Sequence, residues 1–213
     1  MTDTPLETGF VDRELAAEFP ALAIHWITFD ARSGKSPEEV RVRLREMSNR
    51  ISGPKAVQMR QEAVPWAYRV FFRQVGIDPD ERRTPAEQIV LDRLKHGGFR
   101  SRNLLDDAIT IATFETGVPL IAFDAAQIEP PLHLRLARDG ELMGAAGRPL
   151  SSGQIVIADR ERALAVLFAD LDPDRGVTPQ TARMTLVTVQ VEGVPDIAIE
   201  EVLWTVEEIV TGE

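Results

Sequence analysis

The hydrophobic period of this chain changes once along its length, and that change limits the fold more than any motif does. Between residues 36 and 117 apolar side chains recur every three or four positions, whereas from 119 to 191 they alternate. Helices and strands segregated in this way assemble as an α+β architecture, not as a doubly wound parallel sheet. The expectation is a mixed or antiparallel sheet, or a partial barrel, with helices packed outside, in a single domain over residues 1–213.

The individual elements follow from local chemistry. Leu22 to Phe29 (LAIHWITF) reads as a first strand. Ser36-Pro37-Glu38-Glu39 has the grammar of a capping box with Ser36 as N-cap. The helix after it carries Val40, Leu44, Met47 and Ile51 on one stripe, with Arg41, Arg43, Arg45 and Arg50 off it, and Gly53-Pro54 ends it. Residues 55–75 read as helical, divided by Pro65, with Tyr68, Phe71 and Phe72 as buried bulk. Thr84-Pro85-Ala86-Glu87 repeats the capping box. Its helix turns Ala86, Val90, Leu91 and Leu94 inward and stops at Gly97-Gly98. A third helix starts at Asn103 and is apolar around most of its circumference, which places it in the core.

In the second half, a short strand spans 119–123. Leu132, Leu134 and Leu136 then alternate with His133, Arg135 and Ala137, a strand with one face in the core and His133 on the exposed face. Arg138-Asp139-Gly140-Glu141 reads as a hairpin turn. Further strands are expected at 154–158, 163–169 and 184–191, and a helix at 200–210.

Composition excludes several classes of function. The chain has no cysteine, so it has no thiol nucleophile, disulfide or thiolate metal site. His25, His96 and His133 are far apart without ligands at helical spacing, so no metal and no cofactor is expected. His25, in an apolar strand, reads as a satisfied core histidine. No apolar run reaches membrane-spanning length, and the acidic N-terminus lacks a signal-peptide pattern, so a cytoplasmic protein is expected. A net charge of −10 argues against a general nucleic-acid binder. The total conceals a split, however. Residues 1–31 hold one basic and six acidic side chains, residues 32–102 sixteen and nine, and residues 103–213 seven and nineteen. The middle segment, at +7, has two readings: an interaction surface, or the solvated faces of arginine-rich helices.

Phosphate-binding loops, dinucleotide fingerprints, nucleophile elbows and zincin motifs are absent. Among the carboxylates, Asp106 reads as a helix cap. Asp107 lies on a helix expected to be buried and needs either a partner or a catalytic purpose. Asp124, after its strand, would start a turn or cap a helix.

The stretch Asn103-Leu-Leu-Asp-Asp107, Glu115-Thr-Gly-Val-Pro-Leu-Ile-Ala-Phe-Asp124, Ile128-Glu129, Leu134-Arg-Leu-Ala-Arg-Asp-Gly-Glu141 and Ile155-Val-Ile-Ala-Asp159 resembles the B3/B4 domain, the tRNA-editing region of the phenylalanyl-tRNA synthetase β subunit. Upstream, Val64-Pro65-Trp-Ala-Tyr68-Arg69, Gly76-Ile77-Asp78-Pro79 and Arg82-Arg83-Thr84-Pro85-Ala86-Glu87 resemble stand-alone members of that family. The resemblance is strongest over 64–195, with 1–63 as an N-terminal strand-and-helix extension. It implies an editing-type domain that hydrolyses mischarged aminoacyl-tRNA or a related acyl ester in trans. It implies no aminoacylation, because the domains for that step are not in this sequence. The family's site departs here, with Ile109-Thr110 at its Thr-Asn pair, Ile121 at its histidine, and Asp170 to Gly176 in place of its glycine-rich loop. The editing chemistry is therefore not carried over residue by residue; for an editing-like protein the expected pocket residues are Glu87, Asn103, Asp107, Thr110, Ile121, Asp124 and Arg135, with Asp107 the catalytic candidate, and the positive 32–102 segment, with Arg41, Arg43 and Arg45, would meet the phosphates of the RNA. Its partners would be tRNA or aminoacyl-tRNA, or a small amino-acid-like ligand. A non-catalytic binding module that lost the editing residues is the alternative. A purely structural or protein-binding role is the third reading. The sequence sets no oligomeric state.

Overall fold

The structure is a computed structural model that describes residues 4–212, so residues 1–3 of the N-terminal extension lie outside the described residues. The chain is α+β, as its period change requires, and it forms two compact units. One comprises 4–32 and Ile121–Gln190; the other comprises Ser33–Leu120 and 191–212.

The first unit contains most of the strands. These are β1 (Glu7–Thr8), β2 (Phe10–Val11), β3 (Ala23–Asp30), β4 (Leu120–Asp124), β5 (His133–Leu136), β6 (Leu142–Met143), β7 (Arg148–Pro149), β8 (Ile155–Ala158), β9 (Ala163–Val166) and β10 (Arg183–Gln190), with the short helix α1 (Arg13–Glu18). They form a sheet of order β1-β3-β10-β4, a sheet of order β2-β5-β8-β9 and the ribbon β6-β7. The long antiparallel pair is β3 with β10, in register from Ala23 opposite Gln190 to Asp30 opposite Arg183. Ile24, Trp26, Ile27 and Phe29 are buried on β3, as are Met184, Leu186, Val187 and Val189 on β10. Gly9 lies between β1 and β2, where the chain leaves one sheet for the other. A Cβ there would lie 2.0 Å from the Leu132 carbonyl oxygen, so the crossing admits only glycine.

The second unit is helical: α2 (Glu38–Asn49), α3 (Gly53–Met59), α4 (Ala63–Gln74), α5 (Pro85–His96), α6 (Leu104–Thr116) and α7 (Asp196–Thr211). α6 is the central helix, packed chiefly on α7, with α2 and α5 also against it. Ala108, Ile111 and Ala112 are fully buried, as the all-round apolar pattern demands. Val202, Leu203 and Val206 are their counterparts on α7. Gly117 ends α6 at φ +78, and a Cβ there would lie 2.8 Å from Pro65 Cδ, so both conformation and space call for glycine. Among the described residues, no helix is long and apolar enough to cross a membrane.

Several expectations need correction. α2 begins at Glu38 with Pro37 as cap, and no side chain caps it, because the Ser36 hydroxyl is used elsewhere. Gly53-Pro54 opens α3 instead of closing α2, with the Ser52 side chain accepting from the Lys55 N–H and proline tolerated in the first turn. The break in 55–75 falls at 60–62, so Pro65 again sits in a first turn. Leu94 is exposed. On β5, His133, Leu134 and Arg135 are all buried, because the strand is central and α1 and β3 pack against it. The turn at Asp139-Gly140 forms, but β5 pairs with β8 and not with β6, so it joins no hairpin. β9 stops at Val166, where Phe168 takes a positive φ of 54°. α7 starts four residues before the expected Glu200.

Candidate functional site

The N-terminus of α6 begins with Asn103, whose side chain accepts from the Asp106 N–H at 2.9 Å and donates back to Asp106 Oδ2 at 2.9 Å. This reciprocal cap fixes the first turn. Asp107, one residue on, is 2% exposed. Its Oδ2 accepts from the Ser36 hydroxyl at 2.6 Å and the Ser101 hydroxyl at 2.5 Å, and its Oδ1 accepts from the Arg102 N–H at 3.0 Å. The buried carboxylate therefore has the partners its burial requires. It pins the loop before α6 and the approach to α2.

Beside this helix end lies a cleft of about 520 Å³. Thr110, Asp106 and Asp107 of α6 line it, with Asp92, Arg93 and His96 of α5 and Phe99 to Arg102 of the connecting loop. The three arginines make no ion pair among the described residues; Arg93 Nε donates only to the Ser48 hydroxyl, at 3.3 Å. Asp106 Oδ1 carries no protein hydrogen bond among them either. The Thr110 hydroxyl donates to the Asp106 carbonyl at 2.7 Å. The wall thus offers both cationic donors and a carboxylate acceptor.

The other residues singled out in the sequence fall elsewhere. Glu87 is buried at the start of α5, where it completes the capping box with Thr84 and pairs with Arg69 Nη1 at 2.6 Å. Ile121, Asp124 and Arg135 belong to the strand-rich unit. Ile121 is half-buried on β4. Asp124 both starts a turn and accepts from the Thr181 hydroxyl, at 2.6 Å. Arg135 forms a two-pronged ion pair with Glu141, at 2.7 and 2.5 Å, and its hydrogen bonds hold the Glu141 carboxyl down at about 2. The proposed RNA contact is compensated in part: Arg41 and Arg45 share Glu38, and Arg43 pairs with Glu115. The Arg45 hydrogen bond, then the nearby Arg41 charge, keeps Glu38 below the usual carboxylate range.

The histidines are dispersed too. His25 is half-buried and shares hydrogen bonds with Thr8 and Gln190. His96 Nδ1 donates to the Asp92 carbonyl. His133 stacks on Phe10 with ring centroids 4.5 Å apart.

The cleft arginines escaped the sequence reading. The signal was present in Gly97-Gly98-Phe-Arg-Ser-Arg102, a basic run between a helix stop and a helix cap. Asp106 fits its reading as part of the cap, and its Oδ1 accepts no hydrogen bond among the described residues.

Over 94 residues the chain is 38% identical to the phenylalanine–tRNA ligase beta subunit of Methylococcus capsulatus, covering 43% of this chain and 12% of that protein. Over 78 residues it is 41% identical to the same subunit of Brucella abortus, covering 35% and 10%. The chain thus spans only a small part of the curated relatives it matches. A crystal structure of an N-terminal fragment of the phenylalanyl-tRNA synthetase beta-subunit from Pyrococcus horikoshii aligns with a TM-score of 0.41 at 13% identity, covering 95% of this chain and 52% of that one. The family model described as the B3/4 domain matches residues 67–195, more than half of the sequence, and takes in α5, α6, the loop between them and β4 through β10. The chain belongs to the B3/4 domain family.

Proposed function

We propose that this chain is an editing-type domain that binds an amino-acid-like group, such as the aminoacyl end of a tRNA, in the cleft beside α6. The observation that carries the reading is the mixed charge of the cleft wall, where Arg93, Arg100 and Arg102 stand with Asp92 and Asp106. Such a wall complements a ligand that carries an ammonium group and an oxygen anion close together. Asp107 supports binding over turnover. A general base needs a lone pair within reach of the proton it takes, and the Asp107 oxygens already accept three protein hydrogen bonds. The tRNA part of the reading rests on the family, whose similar members are named as phenylalanine–tRNA ligase beta subunits.

One observation favours a second reading, hydrolysis of a mischarged aminoacyl-tRNA or a related acyl ester in trans. Asp106 lines the cleft with an oxygen that accepts no hydrogen bond among the described residues, and it could orient a water there. The test is deacylation of a panel of correctly charged and mischarged tRNAs, with Asp106→Asn and Arg102→Gln alongside, together with equilibrium binding of the same tRNAs. Turnover lost in Asp106→Asn would establish the hydrolase. Saturable binding without turnover, weakened in Arg102→Gln, is the result expected of a binding domain. Neither binding nor turnover of any species would overturn both.

A further inference from the structure

A second surface of the helical unit is built around Asp80. Its carboxylate faces four guanidinium groups: Arg69 at 2.8 Å, Arg83 at 2.9 Å, and Arg60 and Arg73 at 3.8 Å. Glu87 is the other acid of the cluster, at 2.6 Å from Arg69 and 3.0 Å from Arg60. Four cations thus share two carboxylates, an excess of two positive charges. Arg69 is buried and serves the fold, but Arg60, Arg73 and Arg83 have side chains 37, 46 and 23% exposed. Asp80 therefore organises a set of outward-facing guanidiniums, and the hydrogen bonds from Arg69 and then Arg83 keep it ionised well below the usual carboxylate range.

Next to this cluster on α4 is Trp66, whose ring carries the Arg73 guanidinium at 5.7 Å from its centroid. Trp66 is 48% exposed, unusual for a side chain of its size. It lines a groove of about 270 Å³ with Ala63, Ala67, Val70, Phe71, Gln74, Glu192 and Gly193. Ala63, Ala67 and Gly193 keep it shallow, Phe71 is buried, Val70 is exposed, and Glu192 is its acidic member. The groove fits one flat ring system better than a whole ligand.

We propose that this face of α4 contacts single-stranded RNA, with a phosphate held by Arg60, Arg73 and Arg83 and the adjacent base stacked on Trp66 in the groove. Cationic groups that track the backbone, beside an aromatic platform for a base, are the two requirements of single-strand binding. Charge complementarity selects a polyanion over an apolar protein segment, and the exposed ring selects a nucleic acid over a merely acidic chain. The surface is distinct from the α6 cleft, shares none of its lining residues, and rests on the proposed role in tRNA recognition.

The experiment measures anisotropy of labelled tRNA, and of a single-stranded RNA oligonucleotide, against the full chain at several salt concentrations. Trp66→Ala is expected to weaken binding by tenfold or so. Arg73→Gln should reduce the slope of log affinity against log salt by about one. Trp66 emission should be quenched on binding, and Trp66→Phe should lose the quenching while retaining most of the affinity. RNA binding with affinity and salt slope unchanged in these variants would overturn this surface and leave the cleft reading intact. Equal competition by polyglutamate at matched charge would overturn the stacking. A chain that binds neither RNA would overturn both this proposal and the tRNA half of the proposed function.

Discussion

The Ser36 hydroxyl donates a 2.6 Å hydrogen bond to Oδ2 of Asp107, 71 residues further along the chain. Together with the bonds from Ser101 and the Arg102 N–H, it joins the approach to α2, the loop before α6 and the first turn of α6 at one buried carboxylate. Asp107→Ala would leave two hydroxyls and one amide without their acceptor, that of Ser36 in a buried position. The expected cost is about 3 kcal/mol. Ser36→Ala, which removes one donor and leaves two in place, should cost about 1 kcal/mol. Urea unfolding checks both, as a lower midpoint at unchanged slope. A change below about 0.5 kcal/mol for Asp107→Ala would contradict the pinning role.

Glu87 illustrates how one side chain can hold two structures at once. Its Oε2 accepts from the Thr84 N–H and hydroxyl, at 3.2 and 3.1 Å, while its other oxygen faces Arg69. Glu87→Gln would keep the cap but leave the buried Arg69 guanidinium with Asp80 as its remaining counter-charge, for a loss of about 2 kcal/mol. Thr84→Ala removes only the cap and should cost about 1 kcal/mol. Thermal unfolding of the two variants side by side is the check; equal shifts would mean that the ion pair contributes nothing beyond the capping box.

The sequence carried the helical half well because its signals are local. Stripe spacing, a Thr-Pro-x-Glu cap and glycine stops need no knowledge of the rest of the chain, and α5 and α6 formed where those signals put them. The errors arose where tertiary partners decide. Ser36 has the right identity for an N-cap but is drawn to Asp107. β5 alternates as a half-exposed strand would, yet it lies inside its sheet with both faces covered, and its polar residues survive burial through pairing and stacking. In the candidate site, Asn103 caps α6, and Asp107 and Thr110 follow within its first two turns, as the local helix signals require. The cleft arginines form no ion pair among the described residues, and a sequence does not display which cations stay unpaired.

His133 provides a pH signature. It is buried against Phe10, and its Nδ1 has no hydrogen-bond partner among the described residues. Burial, which penalises the charged ring, is the largest influence and pushes its pKa below the ordinary value of 6.5. The sign follows from proton uptake: the unfolded chain binds the proton at higher pH than the folded one. Stability is therefore full above about pH 6.5 and declines as the pH falls through that value. His133→Phe should preserve the stack on Phe10 and remove this part of the decline. Urea midpoints from pH 7.5 to 5 would show it; identical slopes in the two proteins would assign the decline to other groups.

Arg135 and Glu141 act in a lower window. Both side chains are largely buried, 4 and 12% exposed, and the guanidinium grips both carboxylate oxygens. The Arg138 N–H adds a third hydrogen bond to the same carboxylate, at 2.9 Å, so the pair also closes the turn at Asp139-Gly140. With the Glu141 pKa lowered from 4.5 to about 2, the folded state holds the carboxylate ionised where the unfolded chain does not. The contribution is present in full above about pH 4.5 and is lost as the pH falls from there towards 2, with a size on the order of 3 kcal/mol. Glu141→Gln should flatten the acid limb of the stability profile and, at neutral pH, destabilise the fold by a similar amount, because Arg135 remains buried and charged without its partner. Replacing both, Arg135→Met with Glu141→Leu, removes the uncompensated charge and should recover most of that loss, since apolar side chains of similar volume can fill such a site. If the double variant were as unstable as Glu141→Gln, the loss would lie in the turn that Glu141 closes through Arg138, and the buried pair would not be its cause.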